Sequence, residues 1–171
     1  GAELNYSSDV DLVYVYESPP AEARPLEGGP GGLAPAEHFS RLATRFGKLL
    51  EERTAEGFLY RVDLDLRPEG SGGALVTSSH ALEDYYDGWA ATWEKAAFMK
   101  ARPVAGDLDF GWQVARRIDP MIYQSSIDFA AVESIRAMKA RVEREHAVGE
   151  ETEAALPDDW NVKLGAGGIR D

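Results

Sequence analysis

The chain has 171 residues, 44% of them hydrophobic, which is one domain's worth of sequence with enough apolar content for a core. Its formal net charge of −12 opposes binding to nucleic acid and to anionic membranes, and it disfavours a template-dependent polymerase. The absence of cysteine excludes disulfides and thiolate metal sites, as in a cytoplasmic protein, and no apolar run approaches the roughly 18 residues of a membrane span.

The first stretch carries the strongest chemical signal. Residues 10–16 are rich in β-branched and aromatic side chains, which predicts a strand, and its alternation places Asp9 and Asp11 on one face, about 6.6 Å apart at Cα. Carboxylates at this spacing can bind a divalent cation such as Mg²⁺. Ser7 and Ser8, directly ahead, can face a phosphate. The pattern suggests nucleotidyl transfer, and a strand edge with two solvated acids is the alternative.

A segment rich in proline and glycine, residues 17–35, follows and predicts a surface insertion. Pro35 suits the first turn of a helix, which we expect to end near Gly57. Apolar residues recur there at spacings of three and four, and we expect this face to pack in the core. They are Phe39, Leu42, Phe46, Leu49 and Leu50.

The segment 58–66 alternates strictly between apolar and charged residues, which predicts a second strand. If this strand pairs with the first, it brings a third carboxylate beside Asp9 and Asp11, enough to hold two cations about 3.5–4 Å apart. Spacing alone does not choose between Asp63 and Asp65. A solvated charged face is the alternative reading of the same alternation.

After a glycine turn, residues 74–77 predict a short strand, and Ser78 or Ser79 caps a helix that runs to residue 98 and is stopped by Pro103. Its aromatic stripe is expected in the core. The stripe consists of Leu82, Tyr85, Tyr86, Trp89 and Trp93. Lys100 and Arg102 are candidates for neutralising phosphoryl oxygens, although cations also favour a helix C-terminus.

The remaining sequence predicts mostly helix. We expect helices over residues 107–117, capped by Asp107, and over residues 128–146. An acidic linker covers residues 149–159. The glycine turn at 162–170 is a weak candidate for a phosphate-binding loop.

Five ordered motifs together resemble the bifunctional glutamine synthetase adenylyltransferase/adenylyl-removing family. They are ELNYSSDVDLVYVY, YRVDLDLRPEGSGGALV, ALEDYYDGWAATWEKAAFMKARPVAGD, SSIDFAAVESIRAMKARVERE and NVKLGAGGIRD. The resemblance implies an α+β nucleotidyltransferase domain of the DNA polymerase β-like superfamily, with a mixed β-sheet backed by helices. This single domain is expected over residues 1–171, with a catalytic core over 1–106 and a helical extension and glycine turn over 107–171. The last two motifs look more like the family's N-terminal, deadenylylating half.

The resemblance also assigns residues to roles. Asp9 and Asp11 match the family's metal-binding pair, and Asp63 matches its third carboxylate, so that two Mg²⁺ ions are implied. Asp65 departs from the pattern, because the family usually has a basic residue there. The family's Gly-rich segment before this point is missing, so the fragment is expected to turn over poorly.

Other implied contacts are with ligands and partners. Ser7, Ser8, Arg67, Lys100 and Arg102 are the expected ligands of phosphoryl groups. Glutamine synthetase is the implied protein substrate, with ATP or ADP and phosphate as small ligands and a nitrogen-signalling PII-type protein as a possible regulator. The alternatives are a nucleotide-binding regulatory module that has lost turnover and a nucleotidyltransferase acting on another hydroxyl.

Overall fold

The structure, a computed structural model, describes residues 9–17, 33–123, 132–133 and 135–141. The chain forms two compact units, residues 1–124 and 125–171. In the second unit, residues 132–133 and 135–141 are helical, within the predicted helix 128–146. The rest of that helix, the insertion over 18–32 and the glycine turn at 162–170 lie outside the described residues. The predicted division at residue 106 stays a prediction.

The first unit contains short strands and longer helices, and this mixed α/β composition agrees with the predicted class. In chain order the elements are β1 (Val10–Asp11), β2 (Tyr14–Tyr16), α1 (Pro35–Glu51), β3 (Val62–Asp63), β4 (Val76–Ser78), α2 (Ser79–Gly88), α3 (Thr92–Phe98) and α4 (Leu108–Ile122). β1 pairs with β3 and β2 pairs with β4, both in parallel. The predicted first strand is therefore present as two segments, each with its own neighbour.

The predicted strand 58–66 is wrong in extent, because only Val62 and Asp63 pair in the sheet. The amides of Leu59 and Tyr60 donate instead to the carbonyl of Leu50, at 3.1 and 3.0 Å. These residues therefore form hydrogen bonds to the last turn of α1, and strand pairing begins only at Val62. Alternation of side chains can be read from the sequence, but this competing backbone partner cannot.

Helix α1 begins at Pro35, as predicted, but ends at Glu51, before the predicted end near Gly57. It lies against β2 through aromatic side chains. Phe39 stacks on Tyr16 with ring centroids 5.4 Å apart, and Phe46 meets Tyr14 edge to face at 6.5 Å. Such ring pairs contribute about 0.5–1.5 kcal/mol beyond their buried area. They hold the helix on the strand that continues from Asp11.

The rest of the apolar face of α1 departs from the sequence prediction. Ala43 is the one residue of this helix that is buried, whereas the side chains of Leu42 and Leu49 are 55% and 63% exposed. The prediction of core packing was wrong for these two leucines, and Phe39 and Phe46 are also exposed, at 38% and 40%. Helical spacing identifies an apolar face, but it does not say how much of that face another element covers.

The predicted helix from 79 to 98 is two helices in the structure. Ser78 caps α2 by accepting the amide of Ala81 at 3.2 Å, as predicted. The helix ends at Gly88, and α3 starts at Thr92. Trp89, placed in the predicted core stripe, is 83% exposed in the break. Because the stripe was read across the break with one continuous helical period, its last positions were placed wrongly.

Residues of α2 and α4 form the buried core of the first unit. This core consists of Leu82, Tyr86, Val114 and Ile118, with Val15 of β2 and Phe98 of α3 packed against it. An ion pair between Glu83 and Arg117, at 2.7 Å, joins the same two helices at the surface. The core thereby connects the helices to the β2–β4 sheet, one of two separate two-stranded sheets in the described residues.

Asp107 caps α4 by accepting the amide of Phe110 at 3.0 Å, which confirms the predicted start. The helix passes the predicted end at Arg117 and includes Pro120. A proline removes one backbone donor, and in this last turn the amide of Tyr123 still bonds to the carbonyl of Asp119 at 2.8 Å. None of the helices among the described residues combines the length and the hydropathy that a membrane span requires.

We expect Gly73→Ala to lower the free energy of unfolding by about 1–3 kcal/mol, because overpacking costs that much. A Cβ at Gly73 would lie 2.0 Å from the carbonyl oxygen of Pro68, although its φ of −84° suits any residue. Gly72→Ala is the matched control, since a Cβ there meets no atom within 4 Å. Urea unfolding measures both variants, and equal stability of the two would contradict the described turn.

Candidate active site

Asp11 and Asp63 face one another across the pairing of β1 with β3. The Cα register aligns Val10 with Val62 and Asp11 with Asp63. Two backbone hydrogen bonds fix it, from the amide of Val10 to the carbonyl of Arg61 and from the amide of Leu12 to the carbonyl of Asp63, both at 2.9 Å. Aligned residues of neighbouring strands project from the same face, and the strands lie about 4.8 Å apart. Two carboxylates are therefore brought together.

The same register separates the two acids that the alternation could not distinguish. Asp63 lies in the strand, while Asp65 is exposed in the turn beyond it. The amide of Asp65 donates to Oδ1 of Asp63 at 2.8 Å, which orients the Asp63 carboxylate. At the start of β3, Oε1 of Glu51 accepts a hydrogen bond from the amide of Val62 at 3.2 Å. β3 is thus held at both ends, by the last residue of α1 and by its own turn.

Asp9, the third predicted carboxylate, has a different partner. Its Oδ1 forms an ion pair with Nε of Arg61, and both side chains are about half exposed. Among the described residues, no group of three or more Asp, Glu or His side chains is arranged to hold a metal ion. Arg61 was not among the predicted site residues. Its place on the charged face, two residues before Asp63, was the available signal.

Arg67 follows Asp63 in the turn, and its guanidinium is only partly satisfied. Nη1 donates to the carbonyl of Leu64 at 2.7 Å. Nε is buried and has no hydrogen-bond partner within the described ranges. A buried donor without an acceptor costs about 1–3 kcal/mol, more for a charged group, so an acceptor such as a phosphoryl oxygen would be favoured there.

The other predicted phosphate ligands are Lys100, Arg102, Ser7 and Ser8. Lys100 and Arg102 are exposed in the segment after α3. Ser7 and Ser8 lie outside the described residues. The roles of all four in phosphate binding stay predictions.

Tyr85, which was predicted to pack in the core, forms a polar pair with the buried Glu94. The hydroxyl of Tyr85 donates to Oε1 of Glu94 at 2.7 Å, and the carboxylate of Glu94 is in a residue only 6% exposed. Burial, with the hydrogen bond to Glu94, raises the pKa of Tyr85 above its usual value of 10. No periodic pattern marks such a pair, because Glu94 looks like an ordinary acid in the first turn of a helix.

A groove of about 600 Å³ lies between α3 and α4, lined in part by Phe98, Trp112 and Tyr123. None of the predicted site residues lines it. The groups of the described unit that could carry out chemistry therefore lie at the β1–β3 pair, where Asp11 and Asp63 are in register and Arg67 follows Asp63 in the next turn. Carboxylates and guanidinium groups in this arrangement suit a cation-assisted reaction of a phosphate ester.

Comparison with known proteins points to one family. Residues 1–117 match the profile of the family described as "Glutamate-ammonia ligase adenylyltransferase". The chain is 44% identical over its full length to a protein of Stenotrophomonas maltophilia, 43% over 99% of its length to one of Nitrosococcus oceani, and 42% over 99% to one of Hahella chejuensis. Each of the three is named "Bifunctional glutamine synthetase adenylyltransferase/adenylyl-removing enzyme". The chain spans 16–17% of the length of these relatives.

We expect Asp63→Asn to raise the free energy of unfolding by about 0.5 kcal/mol in buffer free of divalent cations, because like charges in register destabilise a strand pair. Asparagine keeps the Oδ1 acceptor for the amide of Asp65 and removes only the charge. Asp65→Asn removes an exposed charge outside the register and should leave stability unchanged. A loss of stability in Asp63→Asn alone would show that the carboxylate is favourably paired.

Proposed function

Because this chain belongs to the glutamate-ammonia ligase adenylyltransferase family, we propose that it forms a metal-dependent nucleotidyltransferase domain acting on glutamine synthetase. We further propose that the domain has the DNA polymerase β-like fold. The relatives' name supports transfer of an adenylyl group, and the mixed α/β unit is compatible with this fold.

The single observation that carries the proposal is the alignment of Asp11 with Asp63. Their oxygen atoms are hard ligands of the kind that Mg²⁺ prefers, and two such carboxylates in register fit a divalent-cation site. Asp9 would join them after exchanging Arg61 for the cation. Bound Mg²⁺ would supply stabilisation of charge on the phosphoryl group and on the leaving oxygen.

We favour the deadenylylating direction, on the resemblance of the last two motifs to the N-terminal half of the family. An oxygen of inorganic phosphate attacks the phosphorus of an adenylylated tyrosine. The bond from phosphorus to the tyrosyl oxygen breaks, the tyrosyl oxygen takes up a proton, and the products are ADP and free tyrosine. The alternative is a separate reaction with ATP as donor, which would add AMP to the tyrosine and release pyrophosphate.

The chain's own cations bind and orient the anionic groups in this scheme. Arg67 offers a buried guanidinium donor close to Asp63 in sequence, and phosphoryl oxygens are suitable acceptors for it. Lys100 and Arg102 offset further negative charge, and Ser7 and Ser8 bind phosphoryl oxygens. Phosphoryl transfer depends mainly on positioning and electrostatic stabilisation, so no side-chain nucleophile is required.

Regulation belongs to the full-length protein. We propose that a PII-type signalling protein acts on regions beyond this chain, which covers about a sixth of the relatives' length. The acidic surface of the chain, with a net charge of −12, is consistent with a protein partner rather than a nucleic acid.

A regulatory nucleotide-binding module without turnover is the second candidate. The ion pair between Asp9 and Arg61 favours it, because it occupies one of the three carboxylates that catalysis would use. The added charge of Asp65 near the site points the same way. A nucleotidyltransferase with another hydroxyl substrate is a weaker third candidate.

In the full-length protein, we expect Asp63→Asn to lower the release of ADP from adenylylated glutamine synthetase by on the order of 100-fold or more, because a lost cation ligand forfeits several kcal/mol of charge stabilisation. The assay follows ADP with and without inorganic phosphate and Mg²⁺. The ATP-dependent adenylylation of glutamine synthetase is measured in parallel, and we expect it to persist.

Asp65→Asn is the matched control, since it removes the same charge from a position outside the register, and we expect it to stay within about threefold of the unaltered protein. Equal activity of Asp63→Asn and the unaltered protein would remove Asp63 from the site. Loss of adenylylation with retained phosphorolysis would reverse the proposed direction. Nucleotide binding without either reaction in the unaltered protein would support the regulatory module.

A further inference from the structure

Four charged side chains share one face of the pairing between β1 and β3. The register aligns Asp11 with Asp63, and two residues earlier in the same segments stand Asp9 and Arg61. Residues two apart in an extended chain project from the same face. The ion pair agrees with this placement, because Nε of Arg61 donates to Oδ1 of Asp9 across the two segments. This face therefore carries an ion pair directly beside two aligned acids.

The backbone at the ion pair is held independently of its two side chains. The amide of Val10 donates to the carbonyl of Arg61 at 2.9 Å, and this bond does not involve the guanidinium. The side chains of Arg61 and Asp9 are 54% and 45% exposed. Ion pairs with this exposure contribute little to stability, because water solvates both charges. The guanidinium can therefore leave Asp9 while the strands stay paired.

A divalent cation held by Asp11 and Asp63 would compete with Arg61 for Asp9. The carboxylate of Asp9 is a hard oxygen ligand of the kind that Mg²⁺ prefers, and its Cα lies about 6.6 Å along the chain from that of Asp11. Its Oδ1 is already bonded to the guanidinium. The positive charges of the cation and of Arg61 also repel one another at this range. Each of the two cations therefore weakens the hold of Asp9 on the other.

Displacement from Asp9 would cost Arg61 one charge-assisted hydrogen bond, which an anionic acceptor on the same face would restore. A guanidinium presents several N–H donors in one plane, and this geometry matches the oxygens of a phosphoryl group. In the proposed reaction both inorganic phosphate and the adenylylated tyrosine carry such groups. A phosphoryl oxygen is therefore the acceptor that suits Arg61 once a cation takes Asp9.

We propose that Arg61 is a substrate-binding residue that exchanges one anionic partner for another, leaving Asp9 to the divalent cation and binding a phosphoryl oxygen of the substrate. This inference rests on the proposed function for both the cation and the substrate. The exchange couples the two ligands. Binding of the cation at Asp9 makes the guanidinium available to phosphate, and binding of phosphate by the guanidinium makes Asp9 available to the cation.

A merely structural role for Arg61 predicts a different result. If the ion pair only held the strands in register, its loss would loosen the alignment of Asp11 with Asp63 and weaken the binding of cation and phosphate together. The exchange instead predicts effects of opposite sign on the two ligands. Arg61→Gln tests this difference, because it removes the charge and keeps the backbone carbonyl that accepts the amide of Val10.

The first measurement is the binding of Mn²⁺ to the 171-residue chain in the absence of phosphate, followed by electron paramagnetic resonance. We expect Arg61→Gln to lower the Kd for Mn²⁺ about fivefold, because the competing guanidinium is gone. Arg61→Lys keeps the charge and should stay within about twofold of the unaltered chain. Asp63→Asn should raise the Kd about tenfold, since a ligand is lost. Arg41→Gln is the matched control, because it removes the same charge from an exposed ion pair with Glu37 on α1, and we expect no change.

The second measurement is the release of ADP by the full-length protein, with inorganic phosphate varied at saturating Mg²⁺. We expect Arg61→Gln to raise the KM for phosphate about tenfold and to change kcat less than about threefold, because the guanidinium binds the substrate. Arg61→Lys should raise the KM less, since it keeps the charge but loses the planar set of donors. Arg41→Gln should leave both constants unchanged.

Tighter binding of Mn²⁺ together with a raised KM for phosphate in Arg61→Gln would support the exchange. Unchanged or weaker binding of Mn²⁺ in Arg61→Gln, alongside weakened binding in Asp63→Asn, would overturn the exchange and leave the proposed cation site standing. An unchanged KM for phosphate in Arg61→Gln would also overturn it. If Asp63→Asn binds Mn²⁺ as the unaltered chain does, the proposed cation site fails, and the exchange fails with it.

Discussion

The parallel register between β1 and β3 is the constraint on which the candidate site depends. Only two residue pairs define it, and a shift by one residue would turn Asp63 to the opposite face from Asp11. So short a ladder needs support from outside the sheet. The end of α1 provides this support. The carbonyl of Leu50 accepts the amides of Leu59 and Tyr60, and Oε1 of Glu51 accepts the amide of Val62. Helix α1 is therefore part of the site's construction, although none of its residues is a candidate ligand.

The amino-acid sequence predicted several helix boundaries well, because these follow from local rules. The cap at Asp107, the proline start of α1 and the cap at Ser78 are encoded within four residues of each boundary. The family could likewise be inferred from ordered motifs. The alternation of side chains left Asp63 and Asp65 as the two candidates for the third carboxylate. In the structure, the register of the strands aligns Asp63 with Asp11.

The features that the sequence did not predict depend on contacts between distant segments. Arg61 pairs with Asp9 across 52 positions of the chain, so no local window includes both. The break after α2 brings Glu94 within hydrogen-bond distance of the hydroxyl of Tyr85. A single continuous helix over residues 79–98 does not predict this contact. The exposure of Leu42 and Leu49 likewise depends on which elements cover α1. In each case the partner or the exposure of the side chain depends on tertiary contacts, which the local sequence pattern does not contain.

The hydrogen bond between Tyr85 and the buried Glu94 has a consequence for how the sequences of this family can vary. A carboxylate that is 6% exposed is tolerated because a tyrosine hydroxyl and a backbone amide satisfy it. A lineage that loses the hydroxyl at position 85 keeps a desolvated acid without its partner, and selection should then replace the acid as well. The two positions are therefore expected to co-evolve, and homologues with phenylalanine at 85 should rarely retain glutamate at 94.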